Sequence, residues 1–205
     1  MFCSVNRPNA NSYVVPDTLL AAGEYPARAP TTLAGNAREK LPYFLDAGIS
    51  AFVDLTDPAD GLEPYYPVLY ELAAARGIDV AYEQFTIADM DVCNPSHMSR
   101  VLDAIDAHLV EGRGTYVHCW GGMGRTGMVV ACWLVRHGRS SSEALDEVKT
   151  LFQTMSAEKV RRFGETGSPQ TESQRALVRS WASLDGANAS GRALTDSGEH
   201  RIMRS

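Results

Sequence analysis

Cysteine is scarce and unpaired along these 205 residues. The four present, Cys3, Cys93, Cys119 and Cys132, form no Cys-x-x-Cys pair and have no histidine at ligand spacing, so the sequence implies no metal. Four are also too few for a disulfide scaffold in a chain of this length, and a reducing cytoplasm is the compartment they suggest. Long apolar runs are missing as well. The longest, residues 128–135, falls far short of the roughly 20 needed to span a bilayer. The opening MFCSVNRPNANSYVV lacks the basic segment followed by an apolar stretch that marks an export signal, so no membrane association is expected. Positive charge is in deficit, with 19 Lys and Arg against 25 Asp and Glu and a net charge of -6. That excludes a broad basic face for nucleic acid, and any anion must be held by a local site. What is there is ordinary: 44% hydrophobic and 21% charged residues, the composition of a globular chain that folds unaided as one domain.

Periodicity places the elements. Leu41, Phe44 and Leu45 recur at helical spacing within 38–47, before Gly48, and the alternation of Ile49, Ala51, Val53 and Leu55 reads as a strand. The pattern repeats with a helix over 64–76, Gly77, and a strand over 78–87 whose parity breaks between Tyr82 and Phe85, predicting a bulge or twist there. Asn94 and Pro95 start a helix with Val101, Ile105 and Leu109 on its inner face. A short strand over 115–118 and a helix over 126–137, apolar nearly all round and therefore buried, follow. Ser140 with Glu143, and Thr171 with Gln174, form capping boxes for two more helices. SYVV and TLLAAGEY supply edge strands. The expected fold is α/β, a central mostly parallel sheet flanked by helices, with one domain over 1–184 and a polar, flexible tail over 185–205.

One turn carries chemistry. A strand ends at Cys119, Trp120, Gly121, Gly122, Met123 and Gly124 follow, and a helix opens at Arg125 and Thr126. Glycines allow backbone N–H groups to converge on one centre, and the helix adds the positive end of its dipole, so the loop reads as a cradle for phosphate. The planar fork of Arg125 suits two phosphate oxygens at once. The same field is what a thiolate nucleophile requires, which singles out Cys119, while Cys3, Cys93 and Cys132 read as inert small hydrophobes.

With these residues in place, the sequence resembles the protein tyrosine phosphatase superfamily, whose His-Cys-x5-Arg-Ser/Thr signature is met by His118, Cys119, Arg125 and Thr126. The fuller form HCxGGxGRTG is similar to the dual-specificity branch, near the cyclin-dependent kinase inhibitor 3 and bacterial tyrosine phosphatase group. The resemblance runs from AAGEYP at Ala21 to Trp181. It implies a protein tyrosine phosphatase-like fold, a phosphocysteine intermediate, an aspartic acid about thirty residues upstream on a mobile loop, and no metal or other cofactor.

Both Asp89 and Asp91, in FTIADMDVCNP, are candidates for that general acid. Asp89 stands thirty residues before Cys119 and is preferred, with Asp91 read as a carboxylate shaping the loop. His118 is expected to orient the loop through hydrogen bonds rather than act as a base. Thr126 is expected both to donate to the departing thiolate and to cap the helix. Gln174 resembles the family glutamine that positions the hydrolytic water, although the capping box alone accounts for it. Arg161 and Arg162 fit either steering of an anionic substrate or a solvated charge pair. Cys93 is one conceivable redox partner for Cys119, and His97, His108 and His137 read as surface residues.

The loop carries no lysine and is built for one phosphate. The expected substrate is a phosphorylated protein, phosphotyrosine first and phosphoserine or phosphothreonine if the pocket is shallow, or else a small phosphate ester. The protein is expected to act as a monomer. Two readings from other classes are a phosphate-binding module without turnover and a rhodanese-like sulfurtransferase, which needs no upstream acid and fits the Arg-Thr-Gly frame poorly.

Overall fold

The computed structural model describes residues 5–27 and 36–196; Cys3 lies outside them. Five short strands form one sheet: β1 (Ser12–Val14), β2 (Leu20–Gly23), β3 (Ile49–Asp54), β4 (Ala81–Gln84) and β5 (Gly114–His118). Their order is β1-β2-β5-β3-β4, and every pairing is parallel except the β1–β2 edge. The helices are α1 (Ala37–Asp46), α2 (Tyr66–Ala74), α3 (Pro95–Val110), α4 (Gly124–Arg136), α5 (Ser141–Gln153), α6 (Ala157–Phe163) and α7 (Glu172–Asp196). This is the α/β sheet that the alternating periodicities predict.

The sheet separates two apolar layers. Leu41, Phe44, Phe52, Tyr65 and Tyr116 pack under α1 and α2. On the opposite face Val53, Leu102, Val117, Met128, Val129 and Trp181 pack with α3, α4, α5 and α7. Because side chains alternate across a strand, consecutive residues of β5 enter different layers, and this decides where its last residues point. The twelve residues of α4 from Gly124 to Val135 are all buried, since α3, α5, α7 and the sheet cover it.

Caps start the helices where their side chains allow. Asn36, Asn94, Ser140 and Ser156 each accept a backbone N–H three residues on, at the starts of α1, α3, α5 and α6. No side chain caps α4.

Several expectations are corrected. The strand expected over 78–87 is only Ala81–Gln84. Beyond it the chain still follows β3, with Phe85 N–H donating to Asp54 O at 2.8 Å and Ile87 N–H to Leu55 O at 3.3 Å. The register irregularity falls between Ile49 and Ala51, not between Tyr82 and Phe85. His108 is buried rather than on the surface, because α3 turns it toward β4, where its Nε2 lies 2.9 Å from Glu83 Oε1. α6 is too short to have shown a period.

The boundary placed at Asp185 is not a helix end. α7 continues to Asp196 through ANASGRAL, whose alanines favour a helix. Asp185 itself is gripped by the Nε–Nη2 edge of the Arg136 fork, at 2.8 Å to Nε and 2.6 Å to Nη2, while Arg136 Nη1 reaches Asp103 at 2.9 Å. Removing the Asp185 carboxylate strips a charged hydrogen-bond partner from a largely buried guanidinium. Asp185→Ala should therefore lower the unfolding free energy by about 1–2 kcal/mol, read as a fall in the urea midpoint at unchanged m-value.

Candidate active site

Between the end of β5 and the start of α4, residues 119–123 form a tight loop gripped by the strands on either side. Tyr25 N–H donates to Trp120 O and Leu55 N–H to His118 O, each at 2.9 Å, and Ser168 Oγ donates to Met123 O at 2.8 Å. Gly122 has φ +70°, and a Cβ there would come within 2.3 Å of the Gly23 backbone, so the loop can lie against the end of β2 only with glycine at this position. The first N–H groups of α4, left without a side-chain cap, open toward the loop.

Cys119 is 3% exposed and lines a cavity of about 710 Å³. The cavity is also bounded by Trp120, Gly121, Met123, Gly124, Arg125 and Asp89. It extends to Lys40, Lys159, Arg162 and Phe163.

Arg125 is among the most deeply buried side chains, at 1% exposure. Its Nη1 donates to Asp60 Oδ2 at 2.7 Å and to Ile87 O at 3.0 Å. Its Nη2 lies 2.9 Å from Asp89 Oδ1, an ion pair outside hydrogen-bond geometry, so Nη2 and Nε have no hydrogen-bond partner among the described residues. Burial works against the guanidinium charge, but Cys119 and Asp60, followed by Asp89, outweigh it and hold Arg125 more firmly protonated than usual. Thr126 Oγ1 is likewise buried without a partner. Unsatisfied buried donors are costly and rare, and these three atoms belong to Arg125 and Thr126, in the first turn of α4.

The two aspartates occupy different places. Ala88, Asp89, Met90 and Asp91 form a turn closed by Asp91 N–H to Ala88 O, with Met90 at φ +63°. Asp89 lines the cavity, whereas the Asp91 carboxylate accepts from Val92 N–H at 2.8 Å and is not part of the lining. Gln174 is wholly buried and held at both ends of its amide. Its Oε1 accepts from Gln170 and Thr171 N–H, and its Nε2 donates to Asp91 O, each at 3.1 Å.

His118 faces away from the cavity, into the α1–α2 layer. Its Nε2 is 2.7 Å from Tyr65 Oη, and its Nδ1 lies 3.4 Å from Cys119 O and 3.8 Å from Asp54 Oδ1. Burial holds the imidazole below its ordinary value, against the upward pull of Asp54. A neutral ring with its proton on Nδ1, accepting from the Tyr65 hydroxyl, satisfies every partner. Asp54 is buried too, accepting from Thr56 N–H, Thr56 Oγ1 and Tyr82 Oη at 2.8, 2.6 and 2.8 Å.

Asp60, Asp54, Tyr65 and Tyr82 were not legible as parts of this site. Only the Asp-Pro-x-Asp turn containing Asp60 left a trace, and it points to a turn rather than to Arg125. Arg162 lines the cavity and Arg161 does not. Burial pushes the Cys93 thiol up to about 11, leaving little thiolate for disulfide exchange with Cys119. Among the described residues, no three His, Cys, Asp or Glu side chains gather as metal ligands.

Fold and site together define a phosphatase of the dual-specificity type, and the comparisons agree. The model of the family described as "Polymorphic toxin system, DSP-PTPase phosphatase" matches residues 28–139, more than half of the chain, and the chain belongs to that family. Among curated proteins, it is 28% identical over 107 residues to phosphatidylglycerophosphate phosphatase PTPMT1 of Arabidopsis thaliana, covering 51% of this chain and 29% of that protein. It is 25% identical over 142 residues to PTPMT2 of the same plant, covering 66% and 60%. The aligned region thus spans less than two thirds of either relative. Among solved structures, kinase associated phosphatase superposes with a TM-score of 0.65 at 20% identity, covering 82% of this chain and 88% of that one. PTPMT1 in complex with PI(5)P gives 0.62 at 16%, covering 87% and 99%.

The lowered His118 has a thermodynamic consequence. Unfolded, the imidazole protonates as pH falls through about 6.5, while in the folded chain it stays neutral to lower pH. Unfolding therefore takes up a proton in that window. The stability contributed is complete above pH 6.5 and is lost on acidification, at up to about 1.4 kcal/mol per pH unit. The melting temperature of the wild type should fall more steeply from pH 7 to 5 than that of His118→Gln. Parallel curves would refute the assignment.

Proposed function

We propose that this chain is a cysteine-dependent phosphatase that hydrolyses phosphate monoesters through a phosphocysteine intermediate. The observation that carries the reading is the buried guanidinium of Arg125, presenting Nε and Nη2 without hydrogen bonds beside Cys119 and Asp89 in an open cavity.

In the first step Cys119 Sγ attacks phosphorus, the S–P bond forms and the ester P–O bond breaks, and Asp89 passes its proton to the leaving oxygen. The 121–124 amides, the start of α4 and the free edge of Arg125 hold the three non-bridging oxygens. Their charge is thereby stabilised through the transition state. In the second step water attacks phosphorus, Asp89 takes its proton, and the S–P bond breaks to return the thiolate, to which the Thr126 hydroxyl, buried and without a hydrogen-bond partner, would donate. His118 acts from behind the loop by fixing its backbone. Gln174 ties α7 to the Asp89 turn through Oε1 and one Nε2 hydrogen, and its second Nε2 hydrogen is the one a water could use. Membership of a phosphatase family leaves the sulfurtransferase reading without support. Cytoplasmic reducing conditions would keep the Cys119 thiol in the form this chemistry needs.

Phosphotyrosine on protein is the first substrate class, supported by a loop that cradles one phosphate and by Trp120 and Phe163 in the cavity wall. A second reading, a lipid or polyol phosphate, draws on the Lys40, Lys159 and Arg162 side of the cavity and on the relatives named for phosphatidylglycerophosphate. Comparing kcat/KM on a phosphotyrosine peptide and on phosphatidylglycerophosphate vesicles decides between them.

Cys119→Ser should abolish turnover of p-nitrophenyl phosphate on either reading, while inorganic phosphate still binds because the amides and Arg125 remain. Appreciable activity in that variant would remove the phosphocysteine mechanism.

Asp89→Asn tests the acid through the leaving group. Tyrosine, with a pKa near 10, leaves poorly without a proton, whereas nitrophenolate leaves readily as an anion. The variant should lose about 10²- to 10⁴-fold on a phosphotyrosine peptide and much less on p-nitrophenyl phosphate. Asp91→Asn should change neither, and the reverse result would move the acid two residues along the turn.

A further inference from the structure

We propose that Asp60 is a positioning residue for phosphate: it commits one edge of the Arg125 guanidinium to the protein so that the opposite edge faces the substrate. The inference rests on the phosphate-binding role proposed for Arg125 and adds what makes that role geometrically definite.

The guanidinium has five N–H bonds in a fixed plane, one on Nε and two on each terminal nitrogen. Both hydrogens of Nη1 are used, toward Asp60 Oδ2 at 2.7 Å and Ile87 O at 3.0 Å. The free donors are on Nε and Nη2, which share one edge of the plane, and that edge is the one that can engage two oxygens of one phosphate. A rotation about the long side chain would exchange these edges. The hydrogen bonds that oppose it are those of Nη1, and of their two acceptors Asp60 carries the charge; the Asp89 ion pair on Nη2 comes from a half-exposed side chain on the edge that phosphate would take.

Asp60 is itself held. It closes the 3₁₀ turn Pro58–Asp60, where Asp57 N–H donates to its Oδ2 at 3.1 Å and its own N–H donates to Asp57 O at 2.9 Å. The Asp57 side chain in turn accepts from Ala59 N–H at 2.8 Å. The Asp60 side chain is 4% exposed, so its carboxylate has no solvent alternative to Arg125. The carboxylate also brings negative charge close to where a phosphate would sit. If it acted mainly through that charge it would weaken anion binding, and if it acts by positioning it strengthens binding. The two effects have opposite signs, which makes the role measurable.

The experiment uses the full chain, with inorganic phosphate and vanadate as probes and p-nitrophenyl phosphate as substrate, on the wild type, Asp60→Asn, Asp60→Glu, Arg125→Lys and the Asp60→Asn/Arg125→Lys pair. Asp60→Asn should raise both inhibition constants and KM about tenfold or more, the loss of one charged hydrogen bond. Asp60→Glu, which keeps the charge, should recover part of the loss. In the Arg125→Lys background the Asp60 change should add less than about twofold, since the two residues act as one unit.

Unchanged or tighter phosphate binding in Asp60→Asn overturns the proposal, and so does full additivity with Arg125→Lys. Failure of both Asp60 variants to fold also overturns it, by making the carboxylate structural. A wild type that binds phosphate but turns nothing over defeats the phosphatase reading alone. A wild type that turns over normally, with Asp60→Asn unaffected, defeats this inference alone.

Discussion

A guanidinium at 1% exposure must have its charge answered inside the protein, and much of this site is arranged around that requirement. Two carboxylates and the Cys119 side chain converge on Arg125 from separate parts of the chain: Asp60 after β3, Asp89 after β4, and Cys119 at the end of β5. Parallel strands make the convergence natural, because the loops leaving their C-terminal ends all open on the same edge of the sheet. The order β5-β3-β4 sets those three loops side by side. The fold thus supplies position, and the loops supply charge.

Behind β5 a second polar cluster does a different job. His118 and Cys119 are neighbours in sequence but enter opposite layers. The imidazole therefore joins Tyr65 and Asp54 under α2 instead of meeting the thiol. A buried network in which each member is satisfied is rigid, and it meets the loop at the carbonyls of His118 and Cys119. The cradle is thereby held from both faces of the sheet.

The parts legible in the sequence are those whose partners are local. The cradle is seven consecutive residues from Cys119 to Arg125, so spacing alone displays it, and the caps at Asn94 and Ser140 span three residues each. Asp60 lies 65 residues from Arg125, and its Asp-Pro-x-Asp setting is explained by a turn without any arginine. The pairing exists only once β3 and β5 lie together. His108 is a different kind of miss. It follows Val101 and Ile105 at helical spacing and so belongs on the inner face of α3, yet a histidine with no metal partner suggests solvent. Its partner Glu83 is on the edge strand that the sequence overextended.

The contact between Asp89 and Arg125 sets an order of events in the proposed reaction. Asp89 Oδ1 stands 2.9 Å from Nη2, on the edge left open for phosphate, so a phosphate oxygen and the carboxylate cannot both occupy it. The Asp89 side chain is 55% exposed on a short turn, while Asp60 is 4% exposed in a braced one, so the carboxylate that gives way is Asp89. An arriving phosphate thus replaces the Asp89 carboxylate on Arg125 and releases it beside the leaving oxygen, where, away from the guanidinium, it takes up from the entering phosphate monoanion or solvent the proton it delivers. The same fork that binds the substrate therefore frees the acid, and the fixed partner on Nη1 keeps the guanidinium in place while its other edge changes hands.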